Sequence, residues 1–94
     1  MTEEELKERI AKAAEALRRE GAQEVYVFGS AATGHLREGG DVDLAVSGLP
    51  PRRYLDALGK AIDILQAPVD LLDLDQDNPF SQHLKEEREL VRVG

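Results

Sequence analysis

Two aspartates, Asp41 and Asp43, interrupt the otherwise apolar run "DVDLAV". On a strand, residues two apart point the same way, with roughly 7 Å between their backbone positions. Two flexible carboxylates so placed can reach one hard cation through oxygen ligands alone, as Mg²⁺ prefers. The competing reading is a solvated strand end, because a buried carboxylate without a partner is costly. A third apolar run, "VDLLDL", repeats the pattern with Asp70 and Asp73. Three positions apart on a strand means opposite faces, so at most one of these two can join Asp41 and Asp43. Asp70, nearer the start of its strand, is the better placed.

Upstream, Gly29 and Ser30 follow the apolar run "EVYVF", with Thr33 and Gly34 shortly after. Glycine lets backbone N–H groups approach an anion closely, and Ser30 adds a small hydroxyl donor. A short helix opening at 31–34 would aim its N-terminus at the same place. A glycine-tolerant turn is the plainer alternative. Three clustered carboxylates repel one another, so without a cation at least one of them titrates upward. Together with a phosphate-binding turn they suit two-metal phosphate transfer. The third carboxylate is then available as base for an attacking hydroxyl.

The elements that must position these groups follow from periodicity. Thr2 and Glu5 form a capping box, and Leu6, Ile10, Ala13, Ala14 and Leu17 trace a helix over residues 3–20 that Gly21 stops. "EVYVF" lacks polar alternation and reads as a strand covered on both faces. In "DVDLAV", Val42, Leu44 and Val46 share one face and Asp41, Asp43 and Ala45 the other. "SGLPP" is a turn, Pro50 or Pro51 opens a second helix, and Tyr54, Leu55, Leu58, Ala61, Ile62 and Leu65 give its stripe. Pro68 ends that segment, "VDLLDL" is a third strand, residues 79–88 form a last helix and "ELVRV" a short edge strand. The fold class is therefore α/β (α+β), a small mixed sheet with helices packed on it. About a dozen residues between the first two strands leave little room for a parallel crossover.

The 94 residues predict one domain, 1–94, with a core of Leu, Val, Ile and Ala. Without cysteine there is neither a disulfide framework nor a thiolate metal site. No apolar run approaches the ~18 residues of a membrane span, and "MTEEELKERI" is too charged for a signal peptide. The expected location is the cytoplasm, with no membrane partner. A net charge of −7 works against binding nucleic acid backbones and favours a basic protein partner.

The stretch "FGSAATGHLREGGDVDLAV" resembles the nucleotidyltransferase pattern G-S-x10-D-x-D of the DNA polymerase β-like superfamily, and "APVDLLDL" is similar to the strand that supplies its third acid. The likeness runs over essentially the whole chain and is greatest for the minimal nucleotidyltransferases. It implies Asp41, Asp43 and Asp70 as catalytic, Mg²⁺-binding carboxylates, with two ions, and Gly29 and Ser30 as the grip on the nucleotide's terminal phosphates. It also implies ATP as substrate and the order α-β-(short α)-β-α-β-α. Many minimal members read "GSRARG", where Ala31 and Thr33 stand in place of two arginines here, and Gly40 stands where serine is common.

Minimal nucleotidyltransferases resemble the antitoxin half of prokaryotic toxin–antitoxin pairs whose other half is an all-helical HEPN-family protein. The resemblance implies transfer of AMP from ATP to a hydroxyl of that toxin, typically tyrosine, in a homo- or hetero-oligomer. Two alternatives stand beside it: an antitoxin that neutralises its partner by covering it, and a transferase acting on RNA or a small alcohol. His35 and His83 lack ligand-spaced partners and read as solvated. Arg52, Arg53 and Lys60 read as a solvated helix face, and Tyr26 and Tyr54 as core or half-core.

Overall fold

The computed structural model describes residues 2–29, 32, 40–75 and 90–93. Helix α1 (Glu3–Arg19) starts where the Thr2 hydroxyl accepts the Glu5 N–H at 3.1 Å. Glu3, Glu4 and Glu5 line its positive end, and Leu6, Ile10, Ala13, Ala14 and Leu17 are its buried face. Strand β1 (Glu24–Phe28) and strand β2 (Val42–Ser47) follow, then a 3₁₀ turn (Pro51–Arg53) opened by a proline. Helix α2 (Tyr54–Leu65) ends on Gln66 in the left-handed conformation, two residues before Pro68. Strand β3 (Val69–Asp73) and the two-residue β4 (Val91–Arg92) complete the described elements. The helix expected at 79–88 lies outside the described residues, and of the one expected at 31–34 only Ala32 is described.

The sheet order is β3-β2-β1-β4. β1 runs antiparallel to β2 and β4, whereas β2 and β3 are parallel, so the sheet is mixed. The β1–β2 connection leaves little room for a parallel crossover and the pair is antiparallel, whereas α2 supplies the crossover that the parallel β2–β3 pair needs. Both helices cover one face. Val25, Val27, Val42, Leu44, Val46 and Leu71 meet Leu6, Leu17, Ala57 and Leu65 there. Leu44 at the centre is fully buried and contributes about 2 kcal/mol by that burial. The other face carries a smaller cluster of Phe28, Ala45 and Leu74, bordered by Tyr26, Leu72 and Leu90. β1 is thus covered unevenly: Tyr26 and Glu24 are only half-buried, which corrects the expectation of a strand sealed on both faces.

Polar contacts also tie the helices to one another and to this frame. Glu20, at the end of α1, is the one buried charged residue among the described residues, its side chain 5% exposed. It accepts from Lys60 and, at 3.3 Å, from Arg53. The hydrogen bond from Lys60 holds its carboxyl below the usual glutamate range. Lys60 and Arg53 are therefore not merely a solvated helix face, because burying a carboxylate requires paired cations. On the sheet's outer side, the Pro68 carbonyl and Leu74 N–H bond to β2, so the backbone groups of Leu71 turn away from β2. The Tyr54 hydroxyl donates to the Leu71 carbonyl there. Burial and the charges of Asp70 and Asp73 keep that phenol's proton on by raising its pKa.

Candidate active site

The aspartates come together on the face that the helices leave open. β2 places Asp43 opposite Phe28 of β1 on one side and Asp70 of β3 on the other. Neighbouring strands stand about 4.8 Å apart, so in-register side chains on one face are direct neighbours. Asp41 lies two residues before Asp43, is exposed, and extends the acidic group beyond the strand's start. Asp73 falls in register with Val46, on the helix-covered face, and stays out of the group. The period-2 reading of the third strand holds.

Asp43 is half-buried, and its carboxyl is pushed above the usual aspartate range by burial first, then by the charges of Asp70 and Asp41. The apolar row Tyr26, Ala45 and Leu72 next to it in the register accounts for the burial. Among the described residues, no lysine, arginine or histidine pairs with any of the three carboxylates. One of three clustered acids titrating upward is the expected cost of holding them together without a cation.

Gly29 closes the arrangement from above. It directly follows β1 with φ of +65°, a conformation that favours glycine. A Cβ there would drive into the Asp43 carboxylate oxygen and lie 3.3 Å from its Cγ. The glycine therefore leaves room for the Asp43 carboxylate as well as opening the turn. Ser30, Ala31, Thr33 and His35 lie outside the described residues, as does His83.

The donor set fits a divalent cation in kind: all oxygen, anionic, on one face, with one carboxyl raised by burial and by its neighbours' charges. Among the described residues, no three of these groups close into a finished cage.

Residues 8–92 match the family model described as polymerase beta, nucleotidyltransferase. The chain belongs to the polymerase beta nucleotidyltransferase family. Among solved structures it is similar to a protein assigned as a minimal nucleotidyltransferase, at 27% identity and TM-score 0.81, covering 97% of this chain and 95% of the other. It is also similar in fold to a toxin–antitoxin complex with AMP-PNP, at 24% identity and TM-score 0.71, covering 94% and 72%. A mutant MntA–HpeT toxin–antitoxin structure matches at 22% identity and TM-score 0.70, covering 88% and 70%. No protein of curated function matches the chain in sequence. For this nucleotidyltransferase, no helix among the described residues is long and apolar enough to cross a membrane.

Two features of the site region escape a reading of the sequence. Tyr54 reads as a core aromatic from its spacing, but its hydroxyl reaches round the sheet's edge to the strand bearing Asp70. Gly29 reads as part of a phosphate-binding turn, and only the three-dimensional arrangement reveals that Asp43 fills the space a side chain would take.

Proposed function

We propose that this nucleotidyltransferase transfers AMP from ATP to a hydroxyl, a tyrosine being the expected acceptor, of a helical HEPN-type toxin and thereby acts as its antitoxin in the cytoplasm. The observation that carries the proposal is the in-register pair Asp43 and Asp70, joined by Asp41, on the open face beside Gly29. The fold likeness to toxin–antitoxin structures, one of them holding the ATP analogue AMP-PNP, supports the partner and the nucleotide. The near-complete mutual coverage with the minimal nucleotidyltransferase supports residues 1–94 acting as one minimal domain.

In this reading Asp41, Asp43 and Asp70 hold Mg²⁺, two ions in the family's manner, and Gly29 and Ser30 receive the outer phosphates. A cation held by these carboxylates would supply charge neutralisation for the nucleotide and the acceptor oxygen. The acceptor oxygen forms a bond to the α-phosphorus, pyrophosphate leaves, and the acceptor's proton passes to a carboxylate. Asp70, exposed at the sheet's edge, is the residue positioned to receive it. Positive charge in the site would favour the ionised form of Asp43, against the burial that raises its carboxyl. The missing Cβ at Gly29 leaves the space that an Asp43 carboxylate oxygen occupies.

Incubation with labelled ATP, Mg²⁺ and the purified toxin partner tests the proposal. Label should pass to the partner and should vanish with Asp43→Ala. Transfer that survives Asp43→Ala would sink the assignment. A second reading, masking without chemistry, draws on Ala31 and Thr33, since both arginines common beside the phosphate turn are missing. Neutralisation of the toxin in cells by the Asp41→Ala/Asp43→Ala double variant would select it.

A further inference from the structure

Among the described residues, three large apolar side chains are exposed, and two of them, Leu55 and Ile62, lie on α2. Leu55 is 76% exposed and Ile62 39%. Their spacing of seven, with Gly59 between, places all three on one stripe of the helix. Asp56 and Asp63, also seven apart, form a parallel acidic line one step round the helix, and neither is ion-paired among the described residues. Leu55, Asp56, Gly59 and Asp63 line an open hollow together with Glu20, Arg53 and Lys60. Both cations are engaged by Glu20, which leaves the two aspartates as the hollow's unpaired charges among the described residues.

Gly59 has no role within the fold. A Cβ at that position would meet nothing within 4 Å, and its φ is not in the left-handed region. Glycine inside a helix is nevertheless less favourable than alanine, because it loses more backbone freedom on folding. What a bare backbone offers at an exposed helix position is close approach by another molecule.

We infer that the Leu55–Gly59–Ile62 stripe of α2 docks an amphipathic helix of a partner protein, with an apolar ridge over Gly59 and lysines or arginines against Asp56 and Asp63. The inference rests on the proposed function for the partner's identity and adds where that partner binds. The acidic line chooses a basic partner over a second copy. Two copies bring −7 each, and an antiparallel pairing of α2 helices would set one Asp56–Asp63 line against the other. Leu55 and Ile62 would supply the apolar anchors of the contact, and the two aspartates its polar rim.

Gly59→Ala tests this, because stability and binding should move in opposite directions. The variant should raise the urea midpoint of the isolated chain and weaken its complex with the purified toxin partner at least tenfold by calorimetric titration. Leu55→Glu should weaken the complex as much with the midpoint unchanged. Asp56→Lys/Asp63→Lys should weaken it most at low salt. Affinity within twofold of the unaltered chain for Gly59→Ala and Leu55→Glu overturns the inference. So does a dimer of the chain alone, seen by sedimentation, that Leu55→Glu dissociates. If label transfer fails while the α2 variants still break the complex, the catalytic reading falls and the docking surface stands.

Discussion

Asp43 stands directly across from Asp70 in the parallel register of β2 and β3, one step from the strand's start. Side by side on a sheet, like charges destabilise the fold, and here they do so beside apolar neighbours that hold water off. The arrangement is unfavourable for the empty protein and favourable for one that receives positive charge.

Asp43→Asn should therefore stabilise the chain in the absence of divalent cation. Because the folded-state pKa of Asp43 is raised, folded protein holds that proton more tightly than unfolded protein. Stability falls as pH rises from the ordinary aspartate value of about 3.9 through the raised folded value, then levels. Above that window Asp43→Asn should gain about 0.5–2 kcal/mol, the range of single stabilising changes. Urea titrations at a series of pH values check the gain and its disappearance in acid.

Divalent cation should act on the same term. Millimolar Mg²⁺ or Mn²⁺ should raise the Tm of the unaltered chain, and EDTA should reverse it. Asp43→Asn should respond far less. Equal shifts in the two proteins, read by calorimetry, would place cation binding elsewhere.

Gly29→Ala should cost stability in two separable parts. The left-handed backbone costs about 1–3 kcal/mol for a residue with a Cβ, and the collision with the Asp43 carboxylate adds to it. Adding Asp43→Ala should restore only the second part, since that Cβ would sit 3.6 Å away in ordinary contact. A double-mutant cycle in urea should thus show positive coupling between positions that are far apart in the chain.

Glu20→Gln should lower stability at neutral pH and abolish an acid-sensitive component. The folded pKa of Glu20 is depressed, so its contribution is complete above the ordinary glutamate range and is lost as pH falls through the folded value. The unaltered chain should weaken across that range, and Glu20→Gln should not. Lys60→Ala should cost less than Glu20→Ala, since Arg53 still faces the carboxylate.

Tyr54→Phe should cost about 0.5–1.5 kcal/mol, the net worth of one hydrogen bond. The loss should be local. Amide exchange should quicken in β3 around Leu71 while the centre of β2 keeps its protection.

Much of this was legible in residue types because the site sits on regular elements. Period 2 in "DVDLAV" separates Asp43 from Leu44, and the same period sends Asp70 and Asp73 to opposite faces. The stripe of Leu6, Ile10, Ala13, Ala14 and Leu17 marks the buried side of α1 without ambiguity. What periodicity does not carry is contact between distant segments. Glu20 next to Gly21 looks like a solvated helix end, and its burial depends on how α2 lies against α1. The register of β2 against β3 is likewise a tertiary quantity, set by α2 and its exit at Gln66. Strand "EVYVF" misled because an unbroken apolar run reports burial of the strand as a whole, not which side is sealed.

The bond from Tyr54 to Leu71 has a consequence for the protein's behaviour in concentrated solution. A sheet's last strand is a template on which any extended segment can continue the ladder, the first step toward fibrous self-association. On β3 the acceptor at the middle of that template is already taken, and Asp70 and Asp73 place a negative charge on either side of it. An added strand would have to displace a phenol and crowd an anion on each face. The first residue of α2 thus helps determine how much of the protein can stay dissolved.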